Sequence, residues 1–89
     1  MTFKYDIASN EQDRITFDYD VEARERLDTK IEGDSLFVFA NREGMISLAK
    51  MLLKMAHGSY SNGFHVHVRR DFNANDPQVL TVVLSNDDQ

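Results

Sequence analysis

No cysteine occurs in this 89-residue chain, and tryptophan is absent as well. Without thiols, neither a disulfide framework nor a thiolate metal centre can form. Secreted domains of this size commonly lean on disulfides, so their absence favours the cytoplasm. Proline appears once and glycine four times, too few for a collagen-like or low-complexity chain. No long apolar run exists. The richest stretch, Met45 to Ala56, is broken by Lys50 and Lys54 and is shorter than the roughly 20 residues a membrane helix needs. The opening MTFKYDIASNEQD lacks an apolar core, so no signal peptide is expected. Basic clusters are scarce too, Arg69-Arg70 being the one adjacent pair, which argues against a nucleic-acid partner.

What is present fits an ordinary folded domain. Apolar residues make up 42% and charged residues 28%, and nothing divides the chain, so residues 1–89 are expected to form one domain. The net charge of −5 is unevenly spread: residues 1–34 hold ten acids and five bases, whereas residues 35–89 hold five of each. An acidic first part suits a basic protein partner, and equally suits simple solubility.

Hydrophobic period places the elements. Residues 3–8 (FKYDIA) alternate weakly, as an edge strand would. In Ile15–Val21, the residues Ile15, Phe17, Tyr19 and Val21 face one way and Thr16, Asp18 and Asp20 the other, as in a half-buried strand. Leu27–Glu32 alternates again, and Gly33-Asp34 is a turn dipeptide that predicts a hairpin into Leu36–Ala40. Leu36–Ala40 and Gln78–Ser85 are apolar on both faces, which predicts two central strands. Phe64–Arg69 alternates without error, with Val66 and Val68 set against His65, His67 and Arg69, and DFNANDP (71–77) reads as a turn-rich connection.

A helix is predicted over Arg42–His57. Asn41 suits the N-cap, Glu43 the first turn, His57 the last turn and Gly58 a left-handed end. At 100° per residue, Glu43, Ser47, Lys50, Lys54 and His57 form one polar stripe, leaving about 220° of apolar arc. A helix on a sheet needs an arc only somewhat wider than ~100°. The surplus, placed on the Met51/Met55 flank beside Leu48, calls for cover by the chain's own loops and sheet or by a second molecule. The expected fold is therefore α+β: one amphipathic helix on one face of a mostly antiparallel sheet of four to six strands, the strands flanking the helix being candidates for a parallel crossover.

Chemistry-bearing motifs are few. His65 and His67 point to the same strand face and could hold a metal with Asp71 or His57 as third ligand, although such a pair is more often simply a polar face. The serines lack nucleophile-elbow glycines, and no phosphate-binding glycine fingerprint is present. No enzyme, metal or cofactor is expected. The outer face of the sheet offers more. Asp18, Asp20, His65, His67 and Arg69 are expected to rim it, around an apolar centre drawn from Phe37 and Phe39 or from Leu36 and Val38.

Asn41-Arg42-Glu43-Gly44-Met45 followed by Leu48-Ala49, and Gly63-Phe64-His65-Val66-His67, resemble the bacterial immunity proteins of polymorphic toxin systems grouped as immunity protein 32. The resemblance covers roughly residues 31–84. It implies a cytoplasmic antitoxin that neutralises a co-inherited toxin by binding it, with no catalytic residues. It does not reach the acidic first part. The expected function is thus protein binding, through Asp18, Asp20, Phe37, Phe39, His65, His67 and Arg69, with a homodimer as a further association and no membrane or nucleic-acid partner. A small homo-oligomeric structural or regulatory domain and a His-based metal-binding domain are the alternatives.

Overall fold

The Gly33-Asp34 turn sets the register of the first half of the molecule. In the computed structural model, which describes residues 1–5, 7 and 24–85, β1 (Leu27–Glu32) and β2 (Ser35–Ala40) form an antiparallel hairpin. Gly33 takes φ 60°, a left-handed conformation glycine adopts without a Cβ penalty. The register runs from Glu32↔Ser35 at the turn to Leu27↔Ala40 at the open end.

The helix α1 (Arg42–His57) follows at once and occupies the predicted residues. Asn41 caps it: its Oδ1 accepts from Gly44 N at 2.8 Å and from Arg26 N at 2.9 Å, while its Nδ2 donates to the Arg24 carbonyl. One side chain thereby fixes the helix start and ties it to the chain entering β1. Gly44 is buried, and a Cβ there would run into the Arg26 carbonyl oxygen. Gly58 ends the helix by donating to the Lys54 carbonyl at 2.9 Å. It is extended (φ −78°), not left-handed as expected. Its lack of a side chain matters for another reason, since a Cβ would collide with the Tyr60 ring, itself stacked on Phe64 at 4.1 Å.

The second hairpin pairs β3 (His65–Arg69) with β4 (Gln78–Val83). Its register skips from Val68↔Leu80 to Arg69↔Gln78, so Val79 is bulged, and the Val79 carbonyl accepts instead from Thr29 Oγ1 of β1 at 2.7 Å. Between β3 and β4 lies the 3₁₀ turn Arg70–Phe72, in which Asp71 (φ 54°) and Phe72 (φ 51°) are left-handed. That conformation is costly for a bulky residue. It is held there by burial of the Phe72 ring and by the bond from Leu27 N to Asp71 Oδ1, 2.9 Å.

Leu27, Met51, Met55, Val66, Val68 and Phe72 make the core, with Leu48, Phe64, Val79, Leu80 and Val82 packed against it. Both hairpins and the helix contribute, so the α+β class and the antiparallel pairing stand. The single sheet of four to six strands does not. The described residues form four strands in two two-stranded sheets. The reason is local: β1 meets β4 through a threonine side chain and a bulge, and meets the 3₁₀ turn through an aspartate, so no backbone ladder joins the hairpins. Among the described residues β2 and β4 each pair only with their hairpin partner, so neither is central there, and β2 makes no parallel pair with β3. Of the expected edge strand at residues 3–8, the described residues Phe3, Lys4, Tyr5 and Ile7 carry no strand, and the expected strand at Ile15–Val21 lies outside the described residues.

The helix is also turned differently from expectation. Met51 and Met55 are core residues, 1% and 4% exposed, so their flank offers no dimer contact. The exposed apolar side carries Met45, Ile46, Leu52 and Leu53. The Gly44 approach to Arg26 sets this azimuth, because Leu48, Met51 and Met55 lie within ~40° of Gly44 around the axis at 100° per residue. Lys50, on the polar flank, is half-buried, with its Nζ 5.4 Å from the centre of the Tyr5 ring.

Candidate binding surface

Alternation along β1 and β2 decides which side chains share a face. Leu27 and Ala40 are Cα partners and Leu27 is buried, so even-numbered residues of β2 share the core side. Phe39 stands opposite Asp28, and Phe37 opposite Lys30. Phe37 and Phe39 therefore occupy the outer face, settling the choice between them and Leu36 with Val38. Their rings stack at 6.3 Å and remain 42% and 55% exposed. Around them stand Asp28, Lys30 and Glu32, the last two joined by an exposed ion pair of 2.9 Å. An apolar centre inside a charged rim is the ordinary composition of a protein-binding patch.

The alternation of β1 already sets Asp28, Lys30 and Glu32 opposite Leu27, Thr29 and Ile31, but the expected binding rim does not count these three. The signal was present, because a two-residue Gly-Asp turn fixes Glu32 opposite Ser35 and hence Lys30 opposite Phe37. Beside this patch lies an open, mainly apolar depression of about 510 Å³, where Phe39 and Val38 of β2 meet Met45 of α1 over Leu27, with Arg26 and Asp71 in its wall.

On the second hairpin, Val66 and Val68 point into the core, so His65, His67 and Arg69 turn away from it as expected. The imidazoles of His65 and His67 meet edge to face at 4.8 Å. His67 Nδ1 lies 2.8 Å from Thr81 Oγ1, and His65 Nδ1 lies 3.2 Å from the Gly63 carbonyl, to which it must donate. Arg69 is half-buried and donates from Nη1 to the Asp76 carbonyl at 2.8 Å, while Arg70 pairs with the Asp76 carboxylate at 3.3 Å. The one basic pair is thus engaged by its own connecting loop. Asp71, the candidate third metal ligand, instead accepts from Leu27 N. Among the described residues, no three His, Asp or Glu side chains gather as a metal site would require. Asp18 and Asp20, the expected acidic part of the rim, lie outside the described residues. No described helix is long and apolar enough to cross a membrane.

These features define a small α+β domain with an exposed aromatic patch on one hairpin and polar side chains on the other. The family model for immunity protein 32 matches residues 35–85, more than half of the chain, and the chain belongs to that family. The matched span runs from β2 through β4 and contains the capping residue Asn41, the close-packed Gly44 and the stacked Phe37 and Phe39. No curated protein and no solved structure matches the chain.

Proposed function

We propose that this protein is a cytoplasmic antitoxin that neutralises a cognate bacterial toxin by binding it directly, without catalysis. Membership of an immunity-protein family supports a toxin as partner. The observation that carries the choice of surface is the stacked, exposed Phe37–Phe39 pair on the outer face of the first hairpin. Exposed aromatic residues inside a polar rim are where binding free energy concentrates, because their burial removes large apolar area at small conformational cost. We add to the proposed interface the polar side chains of His65, His67 and Arg69 on the second hairpin, together with Asp18 and Asp20, whose charge suits a basic toxin and would steer its approach.

The test is co-expression with the product of the adjacent gene. Wild-type protein should restore growth to cells producing that toxin. Phe39→Asp should abolish the rescue while leaving the protein folded. Growth restored equally by Phe37→Asp, Phe39→Asp and wild type would remove the aromatic patch from the toxin interface. No rescue by the wild type would reject the adjacent product as the partner.

A further inference from the structure

Among the described residues, β2 leaves one edge of its hairpin open. Asn41 N donates to the Arg26 carbonyl in line with the β1–β2 register, and backbone direction alternates along an antiparallel strand. Ser35, Phe37 and Phe39 therefore turn their N–H and C=O groups toward β1, and Leu36, Val38 and Ala40 turn theirs outward. On the far side of the hairpin, Leu27 N bonds to Asp71 and Thr29 N to the Asp28 carboxylate. Among the described residues β2 pairs with β1 alone. Edge strands are usually guarded by a charge, a proline or a bulge. β2, SLFVFA, has none of these, and Leu36, Phe37, Val38 and Phe39 are exposed on both of its faces.

We infer that β2 pairs edge to edge with β2 of a second copy of this chain, antiparallel about a two-fold axis through Val38. A two-fold axis perpendicular to a sheet keeps each side chain on its face, so only residues of like parity can stand opposite one another. Centring on Val38 sets Phe37 against the partner's Phe39, extending the outer aromatic stack to both copies, and Leu36 against the partner's Ala40. It also sets Asp34 against the partner's Arg42. Both residues are exposed, and neither has an ion pair among the described residues. Centring on Phe37 instead would face Phe39 with Ser35 and Asp34 with Ala40. Centring on Phe39 would face Phe37 with Asn41, which already caps the helix. Only the Val38 axis matches aromatic to aromatic and opposite charge to opposite charge. The outward groups of Leu36, Val38 and Ala40 then meet those of the partner's Ala40, Val38 and Leu36. Both sheet faces stay open, so the dimer stands independently of the toxin-binding reading.

Sedimentation of the full-length protein alone, over a range of concentrations at low salt, tests this together with amide exchange. A reversible dimer is expected, with slowed exchange at Leu36, Val38 and Ala40 that appears only as the dimer forms. Arg42→Glu places like charges at both symmetric contacts and should weaken the dimer about tenfold. The swap Asp34→Lys with Arg42→Glu should restore it. Val38→Pro, which removes an outward N–H and no bond to β1, should give a monomer. A wild-type monomer at every concentration overturns the inference, and slow exchange of those three amides in a monomer would show the edge to be covered within one chain. A dimer broken by Leu52→Lys yet indifferent to Arg42→Glu and Val38→Pro would place the contact on the helix instead. No toxin is present in these measurements, so their outcome does not depend on the toxin reading.

Discussion

Leu27 N–H donates to the Asp71 carboxylate across 2.9 Å, joining the first strand of one hairpin to the turn of the other. Leu27 is also a core side chain, 1% exposed. A single residue thus carries both a polar and an apolar link between the two halves of the domain, beside the bond from Thr29 to the Val79 carbonyl. The strained left-handed turn at Asp71 and Phe72 exists to deliver that carboxylate to β1 and the Phe72 ring to the core.

Asp71→Ala should therefore destabilise the fold by about 1–3 kcal/mol, the usual cost of leaving a buried donor unmatched. Asp71→Asn keeps an acceptor oxygen and tolerates the left-handed conformation, so it should retain most of the stability. Urea denaturation of the two variants measures the difference. Equal midpoints for Asp71→Ala and wild type would mean the bond adds nothing.

Gly44→Ala is the second discriminating change. In an ordinary helix interior, alanine is favoured over glycine by about 1 kcal/mol. Here the new methyl would meet the Arg26 carbonyl, which belongs to backbone already held by Asn41. The expected sign reverses, with a loss of about 1–3 kcal/mol as the helix is pushed from the strand. A stabilised Gly44→Ala variant would show that Arg26 yields easily and that Gly44 does not set the helix azimuth.

Asn41 should be costlier to lose than a typical cap. Removing an N-cap side chain costs about 0.5–2 kcal/mol. Asn41→Ala forfeits the cap on Gly44 N together with the contacts to Arg26 N and the Arg24 carbonyl. Its loss should fall at or above the upper end of that range. Asn41→Asp preserves the accepting oxygen and forfeits the donor to Arg24, so it should lie between the two. Thermal unfolding of the three proteins orders them.

Much of this architecture is legible in the sequence because its signals are local. The Gly33-Asp34 turn, the Asn41 cap and the unbroken alternation of His65–Arg69 each act within a few residues, and the corresponding elements form as read. What was misread depends on distant contacts. An apolar run cannot say whether neighbours flank it, so β2 and β4 looked central when, among the described residues, each has only its hairpin partner. A helix with a wide apolar arc leaves its rotation open, and the choice is made by a glycine meeting a carbonyl that lies 18 positions earlier in the chain, Gly44 against Arg26. The left-handed positions escaped for a similar reason. Two of them are Asp71 and Phe72, residues that adopt φ above zero only because tertiary contacts hold them. The outer placement of Phe37 and Phe39, by contrast, follows from the turn register together with the apolar and polar faces of β1.

The last prediction separates the core from the binding surface by comparing two apolar residues of different placement. Met51 is 1% exposed and lies against Leu27 and Val68 in the core cluster, whereas Phe39 is 55% exposed on the outer face. Truncating a buried methionine to alanine removes its contacts and leaves a cavity, so Met51→Ala should cost about 2–5 kcal/mol. Met51→Lys should prevent folding, because an unpaired charge would enter the core. Phe39→Ala should change stability far less, since the ring gives up little buried area. Its effect should instead appear with the toxin: faster dissociation, with association nearly unchanged, as loss of a central anchor produces. Charge reversal at Asp18 and Asp20 should do the opposite, slowing association at low salt with little change in dissociation. Biolayer interferometry on folded variants, at low and physiological salt, resolves the two rates. An unchanged dissociation rate for Phe39→Ala, with Met51→Ala destabilised as expected, would leave the fold intact as an account and reject the aromatic patch as the anchor.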